Sequence, residues 1–340
     1  MGGTELYAAA LADAQARAGV TVTSLAGPAG ELDVAARCAG DRPDVVHVHH
    51  LHGLPLSTPT IAKRAGARVV MTLHDYWLAC ARGQLVDGEG ARCPGPSLDR
   101  CARCLSPTLL GRRVPLRRRW VAERRTGVAA LEAAVDLFLS PSRHLPARLG
   151  IPAEYEPLPL LAPLSPSPPA SPGPARLLFA GSLLPTKGPH LAVEAFARLP
   201  AGAATLRLVG PAEGEYAARL VRRAAEVPGV TVSPPVPHAR MGEVYAGADV
   251  LVFPSTWDEN SPLVLREAAA AGLRVVASDV PGVTECAPDA VRFETGSVDA
   301  LRGALAAEVR RGRARVPPRA AGSMEAHAAA VLARYRKLLG

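Results

Sequence analysis

The stretch "ADVLVFPSTWDENSPLVLREAAAAGLRVVASD", residues 248–279, reads as strand, helix and strand in succession. Its flanks, 248–255 and 274–279, are short, β-branched and almost continuously apolar, as strands buried on both faces of a parallel sheet are. Between them Ser261 reads as an N-cap, Pro262 as the first helical residue and Gly272 as the stop, which predicts a helix over 262–272. A helix so placed aims its free amides and partial positive charge at whatever lies beyond the preceding strand, a ready anion site. Glu259 stands just outside that mouth, and Glu267 lies roughly 8–9 Å along the axis at about 1.5 Å per residue. A diphosphate at the mouth would put a sugar against Glu259 and a ribose against Glu267, the proportions of a nucleotide-sugar. On periodicity alone, a surface helix with solvated charges fits equally well.

Outward from this unit the same rhythm continues. Residues 176–182, 205–211 and 230–236 read as further strands, separated by helical stretches at 189–199 and 213–227. In the N-terminal half, 4–18 reads as a helix, and 20–26, 44–50, 67–75 and 135–142 as strands. Strand and helix alternating at this spacing means βαβ units and doubly wound sheets. The chain has two such sets, so the expected fold class is α/β, with two Rossmann-like domains facing across a cleft. The expected boundaries are an N-terminal acceptor-side domain over 1–160, a proline-rich linker over 161–174, a nucleotide-sugar-binding domain over 175–322 and a C-terminal helix over 323–340 packing back across the hinge. The first domain opens at its glycine turn, "MGGTELYAAALA", where a strand should come first; that strand is expected upstream of Met1.

Composition narrows the functional classes. At 340 residues with 48% hydrophobic and 21% charged side chains, the chain is globular. Its net charge of +8 comes from arginine far more than from lysine, which is confined to Lys63, Lys187 and Lys337. Aromatic residues are only 4% of the chain, too few for base-stacking platforms, so nucleic acid is not an expected partner. No apolar run is long enough to span a membrane and no leader opens the chain, so a cytoplasmic location is expected, possible contact with the inner membrane face included.

The segment "VFPSTWDENSPLVLREAAAAGLRVVASDVPGVTE" resembles the motif of retaining, GT-B-fold glycosyltransferases of family 4, in which two glutamates with seven residues between them stand between two strands. "FAGSLLPTKGPHLAVEAF", 179–196, is similar to the family's strand, glycine, phosphate loop and helix. The resemblance implies transfer of a hexose from a nucleotide-diphosphate donor to an acceptor hydroxyl with retention of anomeric configuration. It implies Lys187 on the donor diphosphate, Glu259 on the sugar and Glu267 on the ribose. The donor site so implied also takes in Gly2, Gly3, Gly181, Ser182, Asn260, Ser261, Pro262, Leu263 and Val264, and His74, in "MTLHDYW", would touch the transferred sugar. Where the family carries an arginine after the loop glycine this chain has Ser182, so one phosphate contact is missing; Arg143 is a candidate substitute. That departure leaves a second expectation open, a nucleotide-sugar-binding relative impaired in catalysis. No Asp-x-Asp pair occurs, and no cofactor is expected for catalysis.

Two further features fall outside the motif. Cys80, Cys93, Cys101 and Cys104 lie within one Gly/Pro-rich loop ending in Cys-x-x-Cys, a spacing open to a structural zinc site or to free thiols. "GRRVPLRRRWVAERR", 111–125, crowds arginines around Trp120 and could rest on anionic lipid, bind an acidic acceptor or form a solvated face. "HVHHLHG", 47–53, alternates its histidines along a strand end and so sends them to different sides, which argues against one metal.

Overall fold

Six parallel strands make the sheet that carries the quoted stretch. Across the sheet they run Val291–Phe293, Arg274–Ser278, Val250–Phe253, Ala175–Ala180, Ala204–Val209 and Val230–Ser233. Along each strand, neighbouring side chains alternate between two apolar layers: Leu177, Leu206 and Val252 enter one, Leu178, Leu251 and Phe253 the other. Chain order reverses between Ala175–Ala180 and Val250–Phe253. The helices that follow these two strands therefore pack in opposite layers, Leu191 in one and Leu265 in the other, and the carboxyl ends of strands at such a reversal are where open α/β sheets bind ligands. At the opposite end the same two strands are tied by the buried Asp249, which accepts from Arg176 N at 2.9 Å, Nε at 3.0 Å and Nη2 at 2.6 Å.

The computed structural model describes residues 3–106, 108–109, 112–113, 117–161, 164 and 172–340. Gly2 and most of the proline-rich stretch 161–174 lie outside the described residues. The chain divides into two units, Met1–Leu161 with Ser323–Gly340, and Ala162–Gly322.

The first unit holds a four-stranded parallel sheet, Val45–Val48, Arg68–Thr72, Leu137–Ser140 and Glu154–Tyr155, in chain order. The strand expected at 20–26 is not formed: these residues have no strand pairing and are largely exposed, with Val20 and Leu25 open to solvent. β-branched composition makes a segment fit a pleated surface, but a strand also needs its N–H and C=O groups answered by a neighbouring strand, and this segment pairs with none of the four strands of the sheet. The closing helix Met324–Leu339 belongs to this unit and packs on the opening helix Gly3–Arg17, where Tyr7 Oη meets His327 Nε2 at 2.8 Å.

The arginine-rich segment enters the helix Arg118–Ala134, with Trp120 exposed. Several of its charges are matched locally: Arg118 pairs with Asp99, Arg119 with Glu123, and Arg124 lies over the Trp77 ring and donates to the Leu78 carbonyl. Among the described residues no helix is long and apolar enough to cross a membrane.

Candidate functional site

Two loops leave the strand-order reversal of the second unit, residues 181–188 after Ala175–Ala180 and 254–262 after Val250–Phe253. They touch backbone to backbone because glycine stands at the contacts. Gly188 has φ +68°, and a Cβ there would lie 2.0 Å from the Pro254 carbonyl oxygen. Gly282, with φ +84°, brings the loop after Arg274–Ser278 equally close, where a Cβ would sit 2.4 Å from Glu259 O and 2.3 Å from Asn260 O. Both positions combine a left-handed backbone with a close approach that only glycine allows.

This clamping brings Lys187 and Glu259, 72 residues apart, to 2.7 Å. Glu259 is 3% exposed, and a buried carboxylate is tolerated only when paired and hydrogen-bonded. Its Oε1 accepts from Lys187 Nζ, Ser255 Oγ and Trp257 Nε1, each at 2.7 Å. Lys187 Nζ also stands 5.0 Å from the centre of the Trp257 ring, a cation–π contact. Three donors thus converge on one carboxylate oxygen.

Glu267 is buried too, at 5% exposure, and its oxygens are divided between two donors: His238 Nε2 lies 2.7 Å from Oε1 and Tyr245 Oη 2.6 Å from Oε2. The hydrogen bond to Glu267 raises the His238 pKa above its ordinary value. Burial, then the Glu267 charge, pushes the Tyr245 hydroxyl far up, so it remains a donor. The solvated-helix reading is thereby set aside for Glu267.

The helix between these groups is shorter than expected. It runs Leu263–Ala270, with Pro262 as N-cap and Gly272, at φ +74°, just beyond its end. Ser261 is not the cap. Its Oγ instead accepts from Arg266 Nε at 3.2 Å and lies 3.6 Å from Cys286 Sγ. Proline at the N-cap carries no side-chain acceptor, so the first-turn amides, those of Leu263 and Val264 among them, keep no side-chain cap. Asn260 is buried, Gly181 turns with φ +145° and Ser182 is half-buried.

The first unit gathers a separate set of histidines at its strand ends. His74 follows Arg68–Thr72, and its Nε2 lies 3.2 Å from His49 Nδ1 rather than against Asp75, which accepts from Trp77 N. The strand ends at Val48, so only His47 lies within it; the His47 and His49 rings are 4.1 Å apart and those of His50 and His52 6.4 Å. Burial and mutual repulsion hold His47 and His74 well below the usual imidazole range, and burial with the His327 charge lowers His49 to about 4. The unfolded chain titrates near 6.5 and so binds more protons than the folded one as pH falls from there toward 4. Stability is present above that window and lost through it. The urea midpoint is expected to fall as pH is lowered across the window, with a shallower slope in His49→Gln; a flat midpoint would contradict the burial of these rings.

Gly3 opens the helix Gly3–Arg17, and Arg143 lies over the Tyr155 ring at 4.3 Å. Cys80, Cys93, Cys101 and Cys104 border one largely apolar pocket with Trp120 and Val121, all in free thiol form. Burial raises the Cys101 pKa. Among the described residues, however, no three His, Cys, Asp or Glu side chains are gathered as a group that could hold a metal ion.

Ser255, Trp257, His238, Tyr245 and the clamping role of Gly188 and Gly282 were not legible as site features. Trp257 sits two residues from Glu259, and its indole N–H is a natural partner for a nearby carboxylate. Nothing in the sequence around His238 marks its distant partner.

The comparisons fit this geometry. Residues 164–309, which contain both glutamates and Lys187, match the family model of glycosyl transferases group 1. This stretch belongs to that family. Among curated relatives, a D-inositol 3-phosphate glycosyltransferase of Nocardia farcinica is 36% identical over 129 residues, 35% of this chain and 28% of that protein. The same enzyme of Segniliparus rotundus is 33% identical over 181 residues, 47% of this chain and 39% of that protein. The chain thus spans well under half the length of these relatives. Among solved structures, sucrose-phosphate synthase from Thermosynechococcus elongatus superposes with a TM-score of 0.69 at 19% identity, covering 99% of this chain and 94% of that one. AviGT4, a glycosyltransferase involved in avilamycin A biosynthesis, gives 0.56 at 22% identity over 100% and 90% of the two chains. Anabaena HepE in complex with UDP-glucose gives 0.57 at 15% identity over 89% and 82%. These likenesses show the fold, which is the GT-B class.

Proposed function

We propose that the protein transfers a hexosyl group from a nucleoside diphosphate sugar to an acceptor hydroxyl with retention at the anomeric carbon. The observation that carries this reading is the Lys187–Glu259 pair at the strand-order reversal, its carboxylate buried, followed eight residues later by a second buried carboxylate, Glu267. Negative charge grows on the departing diphosphate as the glycosidic bond breaks. Lys187 and the uncapped amides of the Leu263–Ala270 helix would stabilise it there, without reorganisation during the reaction. Glu259 would accept from a sugar hydroxyl, and Glu267 from the ribose.

His74 of the first unit would contact the transferred sugar as a neutral imidazole, able to donate or accept a hydrogen bond without adding charge. The carboxylates position the donor in this scheme, and neither is assigned as nucleophile. The acceptor proton would pass to the leaving phosphate on the same face of the sugar, which preserves the anomeric configuration. Anabaena HepE is known in complex with UDP-glucose, which makes UDP-sugars the first donors to try.

The test is a panel of nucleotide-sugars added to the full chain in a thermal melt. A ligand present at a hundred times its dissociation constant stabilises by about 2.7 kcal/mol. One donor is expected to raise the melting temperature clearly above the rest. If no nucleotide-sugar does so, the reading is wrong. If one binds but is neither hydrolysed nor transferred, the impaired-relative alternative is favoured instead.

A further inference from the structure

One cation at the site has no role so far. Arg266 stands in the Leu263–Ala270 helix, one residue before Glu267. Helical side chains lean toward the N-terminus, so its guanidinium lies back over the first turn, where Nε donates to Ser261 Oγ. It sits beside the buried Cys286 thiol. No carboxylate pairs with it among the described residues, and Nη2 is wholly buried without an acceptor. The residue as a whole is half-buried.

Each of these features is unfavourable to the protein on its own. A fixed positive charge near a helix N-terminus adds to the partial positive charge already there, which favours anions and not cations. A buried N–H without an acceptor loses its water without gaining a partner. Its near neighbours, the Ser261 hydroxyl and the Cys286 thiol that burial keeps neutral, bring hydrogen-bonding atoms but no negative charge. An anion at the helix mouth would offset both.

Resting on the donor reading above, we infer that Arg266 binds the donor's diphosphate and supplies the positive charge that the loop after Gly181 lacks at Ser182. Helix amides, Lys187 and Arg266 then surround the diphosphate from the two loops and the helix. Arg266 is a binding residue in this assignment, and Glu267 beside it serves the ribose of the same nucleotide.

Calorimetric titration of the full chain with UDP, GDP and ADP, and with the corresponding monophosphates, tests this. Wild-type protein should bind at least one diphosphate. Arg266→Met should weaken that binding by about tenfold or more, as loss of a hydrogen bond to a charged group does, and weaken the monophosphate less. Adding Ser182→Arg to Arg266→Met should restore most of the affinity. The melting temperature of ligand-free Arg266→Met should hold or rise, because an uncompensated charge has been removed. If Arg266→Met does not fold, Arg266→Gln carries the same comparison.

Unchanged diphosphate affinity in the variant overturns the inference. So does a loss of affinity accompanied by a lower ligand-free melting temperature and not rescued by Ser182→Arg, which marks a purely structural role. Failure of wild type to bind any of the three diphosphates removes the donor reading itself, and this assignment with it.

Discussion

Glu259→Ala is expected to reduce glycosyl transfer by about a thousandfold or more, the upper range for removing a preorganised polar contact to the reacting group. Its Oε1 is the common acceptor for Lys187, Ser255 and Trp257, so one substitution releases all three. Lys187 loses the contact that fixes its ammonium where the diphosphate is proposed to lie, and the sugar loses its carboxylate acceptor. Folding should survive. Lys187 is 27% exposed and can turn its charge to water, and Ser255 Oγ also reaches the Thr186 carbonyl at 3.2 Å, so the structural cost is that of leaving the Trp257 indole N–H unanswered, about 1–3 kcal/mol. Glu259→Gln keeps a polar group of the same shape but not the charge, and should fall between alanine and wild type. The measurement is transfer or donor hydrolysis with whichever nucleotide-sugar stabilises the protein, beside a melt of each variant. Undiminished turnover in a folded Glu259→Ala would remove Glu259 from the chemistry.

The parts of this site that could be read from the sequence are those governed by local rules. The strands at 176–182 and 248–255 follow from nearly unbroken apolar runs, and the helix stop from Gly272, where the observed φ of +74° suits glycine. Sheet order was legible at the level of class, because βαβ units force parallel neighbours. What could not be read depended on which groups meet after folding. Ser261 has the chemistry of an N-cap, yet Pro262 takes that place and the hydroxyl turns to Arg266 instead. His238 reaches Glu267 across 29 residues, a pairing that no local pattern encodes. The run at 20–26 failed for the converse reason: its composition suits a strand, but a strand forms only by pairing with another, and this segment pairs with none.

Gly188→Ala is expected to be the most damaging single change at a position that carries no chemistry. An alanine there meets two separate penalties. The first is the left-handed backbone at φ +68°, which costs a residue with a Cβ about 1–2 kcal/mol. The second is contact with the Pro254 carbonyl oxygen at 2.0 Å, far inside any real Cβ contact. That oxygen belongs to backbone and cannot swing aside as a flexible side chain would, so one of the two loops must move. Movement of either separates Lys187 from Glu259, because the two residues lie on opposite sides of this contact. Gly202 provides the control: it has φ +74°, and a methyl group added there would have nothing within 4 Å, so Gly202→Ala carries the backbone penalty alone. Gly202→Ala should therefore lower the melting temperature by a few degrees, at about 2–4 °C per kcal/mol for a domain of this size, and leave nucleotide binding unchanged. Gly188→Ala should lower it by several times as much and abolish binding. Equal melting temperatures for the two variants would mean that the close approach of Gly188 to Pro254 does not hold the site together.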